Sequence, residues 1–192
     1  MHKAIFLDRD GVINRKAMTE DDYVTSWEEM EILPGVAEAI SLLNRSGFLV
    51  VVVTNQRAIA KGLITVAQLG AIHEQMCSYL ATKGVKIDAV YYCPHELHPR
   101  CDCRKPEPGM LFDAARDHKI DLTRSWMIGD SEKDIEAGMR AGCKTVRVAP
   151  DGHSIESKAD LVVDSLLAAS HKILETYSHR PIARTLTPLS RS

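Results

Sequence analysis

No stretch of this 192-residue chain approaches the ~20 consecutive apolar residues that a membrane span requires. The longest apolar run, Phe48 to Val53, is strand-sized, so no membrane partner is expected. Charge of one sign is also missing. A formal net charge of −2, with no basic stripe, gives no electrostatic reason to expect nucleic acid as a partner. The opening Met1-His2-Lys3 runs straight into an apolar strand without a leader, and the protein is read as cytoplasmic. Five cysteines, an odd number, argue against a secreted disulfide framework. There is no internal repeat and no second composition regime. The expectation is one domain over 1–177, monomeric, with an aperiodic and mobile tail over 178–192.

What is present is ordinary for a globular domain: 45% hydrophobic and 26% charged residues. Short β-rich runs alternate with segments of helical period, which predicts an α/β fold with a doubly wound, mainly parallel sheet. Strands are expected at Ala4–Leu7, Phe48–Val53, Ala89–Tyr92, Trp126–Ile128, Thr145–Val148 and Leu161–Val163. A helix should open at Pro34-Gly35 and close at Gly47. The next begins after the N-cap Thr65 and buries Leu69, Ile72, Met76 and Leu80. Further helices are read at Gly109–His118, Glu132–Ala141 and Leu166–Tyr177. Open α/β sheets bind ligands at the carboxyl ends of their strands, which singles out Asp8, Thr54 and Asp130.

Asp8-Arg9-Asp10-Gly11 follows the first strand. An ionised carboxylate can take a phosphoryl group as an acyl phosphate, which suits Asp8 as nucleophile. A second acid two residues on suits Asp10 as general acid and then general base. An Asp-x-Asp alone is more often the end of a strand in a solvated acidic loop. Other segments change that balance. Phosphoryl transfer requires donors and positive charge around the transferring oxygens, and Thr54, Asn55 and Lys105 supply them. Asp130 adds a third acid, with Asp134 one turn further, as a hard cation such as Mg²⁺ would need.

These motifs in this order resemble the haloacid dehalogenase superfamily of phosphatases. The resemblance implies a Rossmann-like sheet, an aspartyl-phosphate intermediate, and Mg²⁺ held by Asp8, the Asp10 carbonyl and Asp130. Only about forty-five residues separate Asp8 from Thr54, so no large cap domain is expected and the site should be open. It would be shaped by the loop from Lys16 to Trp27 and by the cysteine segment.

That segment, Cys93-Pro-His95 followed after five residues by Cys101-Asp-Cys103, presents two closely spaced ligand pairs. They suit a tetrahedral, structural Zn²⁺ held by Cys93, His95, Cys101 and Cys103, with His98 as an alternative fourth ligand. Prolines and the lack of apolar period mean that metal, not core burial, would order the loop. Cys77 and Cys143 read as small core residues. The loop leads directly into Arg104-Lys105-Pro106. Together with Thr54-Asn55-Gln56 it resembles the D-glycero-D-manno-heptose 1,7-bisphosphate 7-phosphatases. That resemblance implies a sugar bisphosphate substrate that loses its 7-phosphate, a second phosphate read by Arg104, and a pocket lined by Tyr23, Asn55, Gln56 and Arg57. Histidinol-phosphate phosphatases have a similar zinc loop and are the alternative. A phospho-accepting receiver module shares the aspartate and the sheet, but it has no use for Asp10. The chain departs from the family pattern in a long Asn14–Tyr23 loop, in Ser131 where a lysine is expected, in Arg57-Ala58 for Ser-Gly, and in a short zinc loop.

Overall fold

A computed structural model of the chain describes residues 1–16, 23–150 and 156–178. Part of the Lys16–Trp27 loop and the expected tail beyond Ser178 lie outside the described residues. In chain order the elements are β1 (Lys3–Leu7), α1 (Val36–Arg45), β2 (Phe48–Asn55), α2 (Val66–Thr82) and β3 (Ala89–Cys93). There follow α3 (Gly109–His118), β4 (Trp126–Gly129), α4 (Glu132–Ala141), β5 (Lys144–Val148), β6 (Leu161–Val163) and α5 (Leu166–Ser178). All six strands are parallel, in the order β3-β2-β1-β4-β5-β6. The chain winds outward from β1 to β3, returns to place β4 beside β1, and winds outward again. The reversal between β1 and β4 is where such a sheet opens a crevice.

Strand alternation divides the core into two layers. Ile5, Leu7, Val50 and Val52 pack on one face against the buried sides of α1, α2 and α5. Ala4, Phe6, Val51 and Val53 pack on the other against Met110, Leu111 and Ala114 of α3 and Ala137 and Ala141 of α4. Central strands buried on both sides read as continuous apolar runs for this reason. Each large side chain sealed here contributes roughly 1.5–3 kcal/mol of transfer free energy. No cap domain interrupts the described residues, and none of their helices is long and apolar enough to cross a membrane.

One central strand runs further than hydropathy suggests. β2 continues through Thr54 and Asn55, which pair with Tyr92 and Cys93 of β3. Ladder hydrogen bonds are made by backbone, so a polar side chain does not end a strand. Thr54 and Asn55 are therefore held by the sheet rather than lying beyond it. The stretch after Asp10 is also less loop-like than its polarity implies. Asn14 is fully buried and makes isolated bridges to Asp10 and Ile32. α2 begins with the expected Thr65 cap, a reciprocal box with Gln68, and Ser131 makes the same box with Asp134 at the start of α4.

Candidate active site

Asp8 leaves the end of β1 at the switch point, where Asp130 also leaves β4. Lys105 rises from the segment before α3 and is almost fully buried. Its ammonium has three donors and three acceptors: Asp8 Oδ1 at 2.8 Å, Asp134 Oδ1 at 2.6 Å and the Val53 carbonyl at 2.7 Å. Burial works against that charge, but Asp134 and Asp8 outweigh it and keep the lysine protonated. Asp134, in turn, is fixed by the Ser131 amide and hydroxyl. Gly129 allows this close approach, since a side chain there would collide with Asp134. Asp134 thus serves Lys105 and the helix cap.

Asp8 carries the cost of this crowding. Burial pushes its carboxyl up to about 7, and Asp134, Asp10 and Asp130 add to the rise against the pull of Lys105. Asp10 has the opposite balance. Burial alone would raise it, but the Arg9 guanidinium and hydrogen bonds from Asn14 and Gln56 bring it below the usual carboxylate range. Arg9 Nη2 lies 3.0 Å from both Asp10 oxygens, Asn14 Nδ2 2.9 Å from Oδ1, and Gln56 Nε2 3.1 Å from Oδ2. Gln56 also donates to the Thr54 hydroxyl at 2.8 Å.

Asp130 sits over Gly11, whose positive φ and missing side chain let the two loops touch; a Cβ there would strike the Asp130 carboxylate. Its acidity is weakened by burial, and Lys16 Nζ pairs with it at 2.8 Å. Oxygens of Asp8, Asp130 and Asp134 lie within 4.8 Å of one another. A hard, all-oxygen donor set in which four acids share three contacting cations fits a small divalent ion such as Mg²⁺. All three carboxylates already face a protein cation, Asp8 and Asp134 through Lys105 and Asp130 through Lys16.

These groups open into a cavity of about 270 Å³ that is lined by all the expected catalytic residues, Asp8, Asp10, Thr54 and Lys105. Tyr23, Asn55, Gln56, Arg57 and Arg104 line it too. Two of them have duties that the sequence did not suggest. The Asn55 amide braces the Lys105 backbone in both directions, at 3.1 Å each. Arg57 pairs with Glu96 of the cysteine segment. Lys16, Asn14 and Lys133 were missed as site residues, because nothing in their own segments marks them. Lys133 lines the cavity two residues after Ser131, where the family pattern leads one to expect a lysine.

The cysteine segment closes one side. Cys93 is anchored at the end of β3, and its Sγ lies 3.5 Å from His95 Nδ1 and 3.6 Å from Cys101 Sγ. Cys103 Sγ lies 3.2 Å from His95 Nδ1 and 3.5 Å from Cys101 Sγ. Zn–S bonds of about 2.3 Å imply a tetrahedral edge of about 3.8 Å, so this soft donor set fits zinc. His98 is not part of the cluster. Arg104 Nη1 donates to the His95 carbonyl at 3.1 Å and so ties the loop to the cavity wall.

Comparison with known proteins points to a phosphatase. A HAD-hydrolase-like family model matches residues 102–169. The D-glycero-beta-D-manno-heptose-1,7-bisphosphate 7-phosphatase of Escherichia coli K12 is 42% identical over 174 residues, covering 85% of this chain and 89% of that protein. Its counterpart from Photorhabdus laumondii is 40% identical over 176 residues, covering 85% and 90%. Among solved structures, the D,D-heptose 1,7-bisphosphate phosphatase of B. bronchiseptica, complexed with magnesium and phosphate, has a TM-score of 0.81 and 37% identity. It covers 91% of this chain and 99% of its own. The fold and the relatives define a phosphatase of the haloacid dehalogenase-like hydrolases. Within that class, the chain belongs to the family of the D-glycero-D-manno-heptose 1,7-bisphosphate 7-phosphatases.

Proposed function

We propose that this enzyme removes the 7-phosphate of D-glycero-D-manno-heptose 1,7-bisphosphate through an aspartyl phosphate on Asp8. The observation that carries this reading is one cavity lined both by the Asp8–Asp10–Asp130 carboxylates and by the cations Arg57 and Arg104. A bisphosphate needs both: a reacting phosphate at the carboxylates and a second one held by Arg104, with Arg57 beside it. The names of the relatives supply the sugar.

In the first step an Asp8 oxygen attacks phosphorus and forms a P–O bond while the bond to the sugar oxygen breaks. Asp10, a carboxylate in the free site, takes up a proton when the negative charge of the substrate phosphate comes to lie beside it, and gives that proton to the departing oxygen. In the second step Asp10, now a carboxylate, takes a proton from water as the water oxygen attacks phosphorus. The Asp8–phosphorus bond breaks, inorganic phosphate leaves, and both aspartates return to their starting state. Lys105 orients Asp8 and offsets charge on the transferring group, and Thr54 offers it a hydroxyl. Mg²⁺, for which Asp8, the Asp10 carbonyl and Asp130 are the ligands in this reading, would supply further charge neutralisation for the phosphoryl oxygens. A structural Zn²⁺ on Cys93, His95, Cys101 and Cys103 would hold Arg104 at the cavity wall.

The test is kcat/KM on a panel containing both anomers of the heptose bisphosphate, other sugar bisphosphates and histidinol phosphate. The expected preference is for the heptose bisphosphate. A preference for histidinol phosphate would remove the substrate assignment and keep the chemistry.

A further inference from the structure

Arg9 lies between the two site aspartates in sequence and is 1% exposed. Its Nε and Nη2 face the Asp10 carboxylate, and its Nη1 lies 3.2 Å from Nε2 of His73. His73 comes from α2, sixty-four residues away, and is buried like Leu69, Ile72, Met76 and Leu80 of the same helix. A guanidinium can only donate, so His73 Nε2 is the acceptor and the ring proton sits on Nδ1. A protonated His73 would lose that acceptor and set two cations face to face. Burial and Arg9 accordingly press its pKa down to about 4. The other buried positions of α2 carry apolar side chains, and this one carries a polar ring that meets Arg9.

We infer that His73 is a positioning residue for the reaction, holding Arg9 so that Arg9 in turn aligns the Asp10 carboxyl for proton transfer to the leaving group. His73 does not line the cavity and acts only through Arg9. The inference rests on the proposed acid–base role of Asp10. A misaligned proton donor should matter when the leaving group is a sugar alkoxide. It should matter little when the leaving group is an aryl oxide that departs without a proton.

The experiment compares kcat/KM for the heptose bisphosphate and for p-nitrophenyl phosphate in the intact enzyme. The ratio of the two cancels any change in folded fraction. His73→Leu should lose about 10- to 100-fold on the sugar phosphate. Its loss on the aryl phosphate should stay within about threefold, a selectivity smaller in size than that of Asp10→Asn but the same in kind. His73→Gln, whose amide oxygen can accept from Arg9, should bring the ratio back to within about threefold of wild type. Arg9→Lys, whose single ammonium cannot span both partners, should reproduce the selective loss if His73→Leu fails to accumulate. Equal losses on both substrates, an unchanged ratio, or a His73→Gln variant as poor as His73→Leu would overturn the inference. Wild-type enzyme that hydrolyses p-nitrophenyl phosphate but not the heptose bisphosphate would overturn the substrate assignment instead. The ratio would then be taken with the best alkyl phosphate of the panel.

Discussion

The carboxylate rim and the cysteine loop each gather groups that repel or compete when brought together, and they solve the problem differently. At the rim, Asp8 and Asp130 hang from the ends of β1 and β4, whose side chains are sealed in the core, so the sheet fixes the acids before any ion arrives. Protein cations already offset much of the charge: Lys105 for Asp8 and Asp134, Arg9 for Asp10, Lys16 for Asp130. In the loop only Cys93 belongs to the sheet, and the sulfurs lie against one another and the His95 ring rather than against a protein cation's side chain. The cations beside it bond elsewhere, Arg104 to the His95 carbonyl and Arg57 to Glu96. A metal at the rim would therefore tune a site that exists already, whereas a metal in the loop would make the site. The difference predicts that rim variants lose catalysis and keep the fold, and loop variants do the reverse.

The largest effect should come from Asp8→Asn. It keeps the shape and the bond from the Arg9 amide but removes the nucleophilic charge, and kcat should fall on the order of 10⁴-fold with an unchanged melting curve. Retention of more than a few per cent of turnover would take the nucleophile role from Asp8. Next is Asp134→Ala, which leaves Lys105 buried with one carboxylate fewer. Breaking a buried pair from one side costs about 3–5 kcal/mol, and kcat should fall about 100-fold as Lys105 loses its alignment. This variant tests the comparison hardest, because it is the one place at the rim where fold and catalysis share a residue. Loss of stability without loss of kcat would restrict Asp134 to capping α4.

Cys101→Ser approaches from the other side. Zinc content should fall from about one per chain to near zero, and Tm should drop by about 5–10 °C, while kcat stays within roughly tenfold of wild type. Wild-type protein without zinc by metal analysis would end the structural-metal reading. Chelation separates the two ions further. EDTA followed by added Mg²⁺ should restore turnover, and the lower Tm of zinc-depleted enzyme should not respond to Mg²⁺.

Much of this contrast could be read in the sequence, for a physical reason. Strand-end acids and closely spaced thiols are local patterns, and Asp8, Asp10, Asp130, Cys93, Cys101 and Cys103 come together just as their segments suggest. The partners that tune them are not local. Lys105 was legible as a charge, but not as the hub between Asp8 and Asp134. Asn55 was expected to face a phosphate; it lines the cavity and also braces the Lys105 backbone, which its own segment does not announce. His73 lay hidden in the apolar stripe of α2, where a 3.6-residue period marks only which face is buried. Asn14 was read as part of a polar loop, yet it is fully buried against Asp10. A buried polar residue is announced by its partner, and the partner is fixed only when the chain has folded.

The smallest effect concerns stability and pH. His73 has a folded pKa of about 4 against an ordinary value of 6.5, so between those limits the unfolded chain binds the extra proton. Its contribution is therefore fully present above about pH 6.5 and is lost as pH falls towards 4, at most about 3 kcal/mol over the window. The groups facing the ring are Arg9 and Asp10, with the Tyr92 ring centroid 6.0 Å away. Asp8 and Asp130 act in the opposite direction, because their raised pKa values make the folded state the better proton acceptor at mildly acid pH. Wild type alone thus mixes the two signs. Subtracting the urea stability of His73→Gln from that of wild type at pH 7.5 and again at pH 5 isolates the imidazole. The difference should shift by about 2 kcal/mol against wild type at the lower pH. A difference that does not move with pH would mean that His73 is not held neutral, and Arg9 would then need another acceptor to keep it on Asp10.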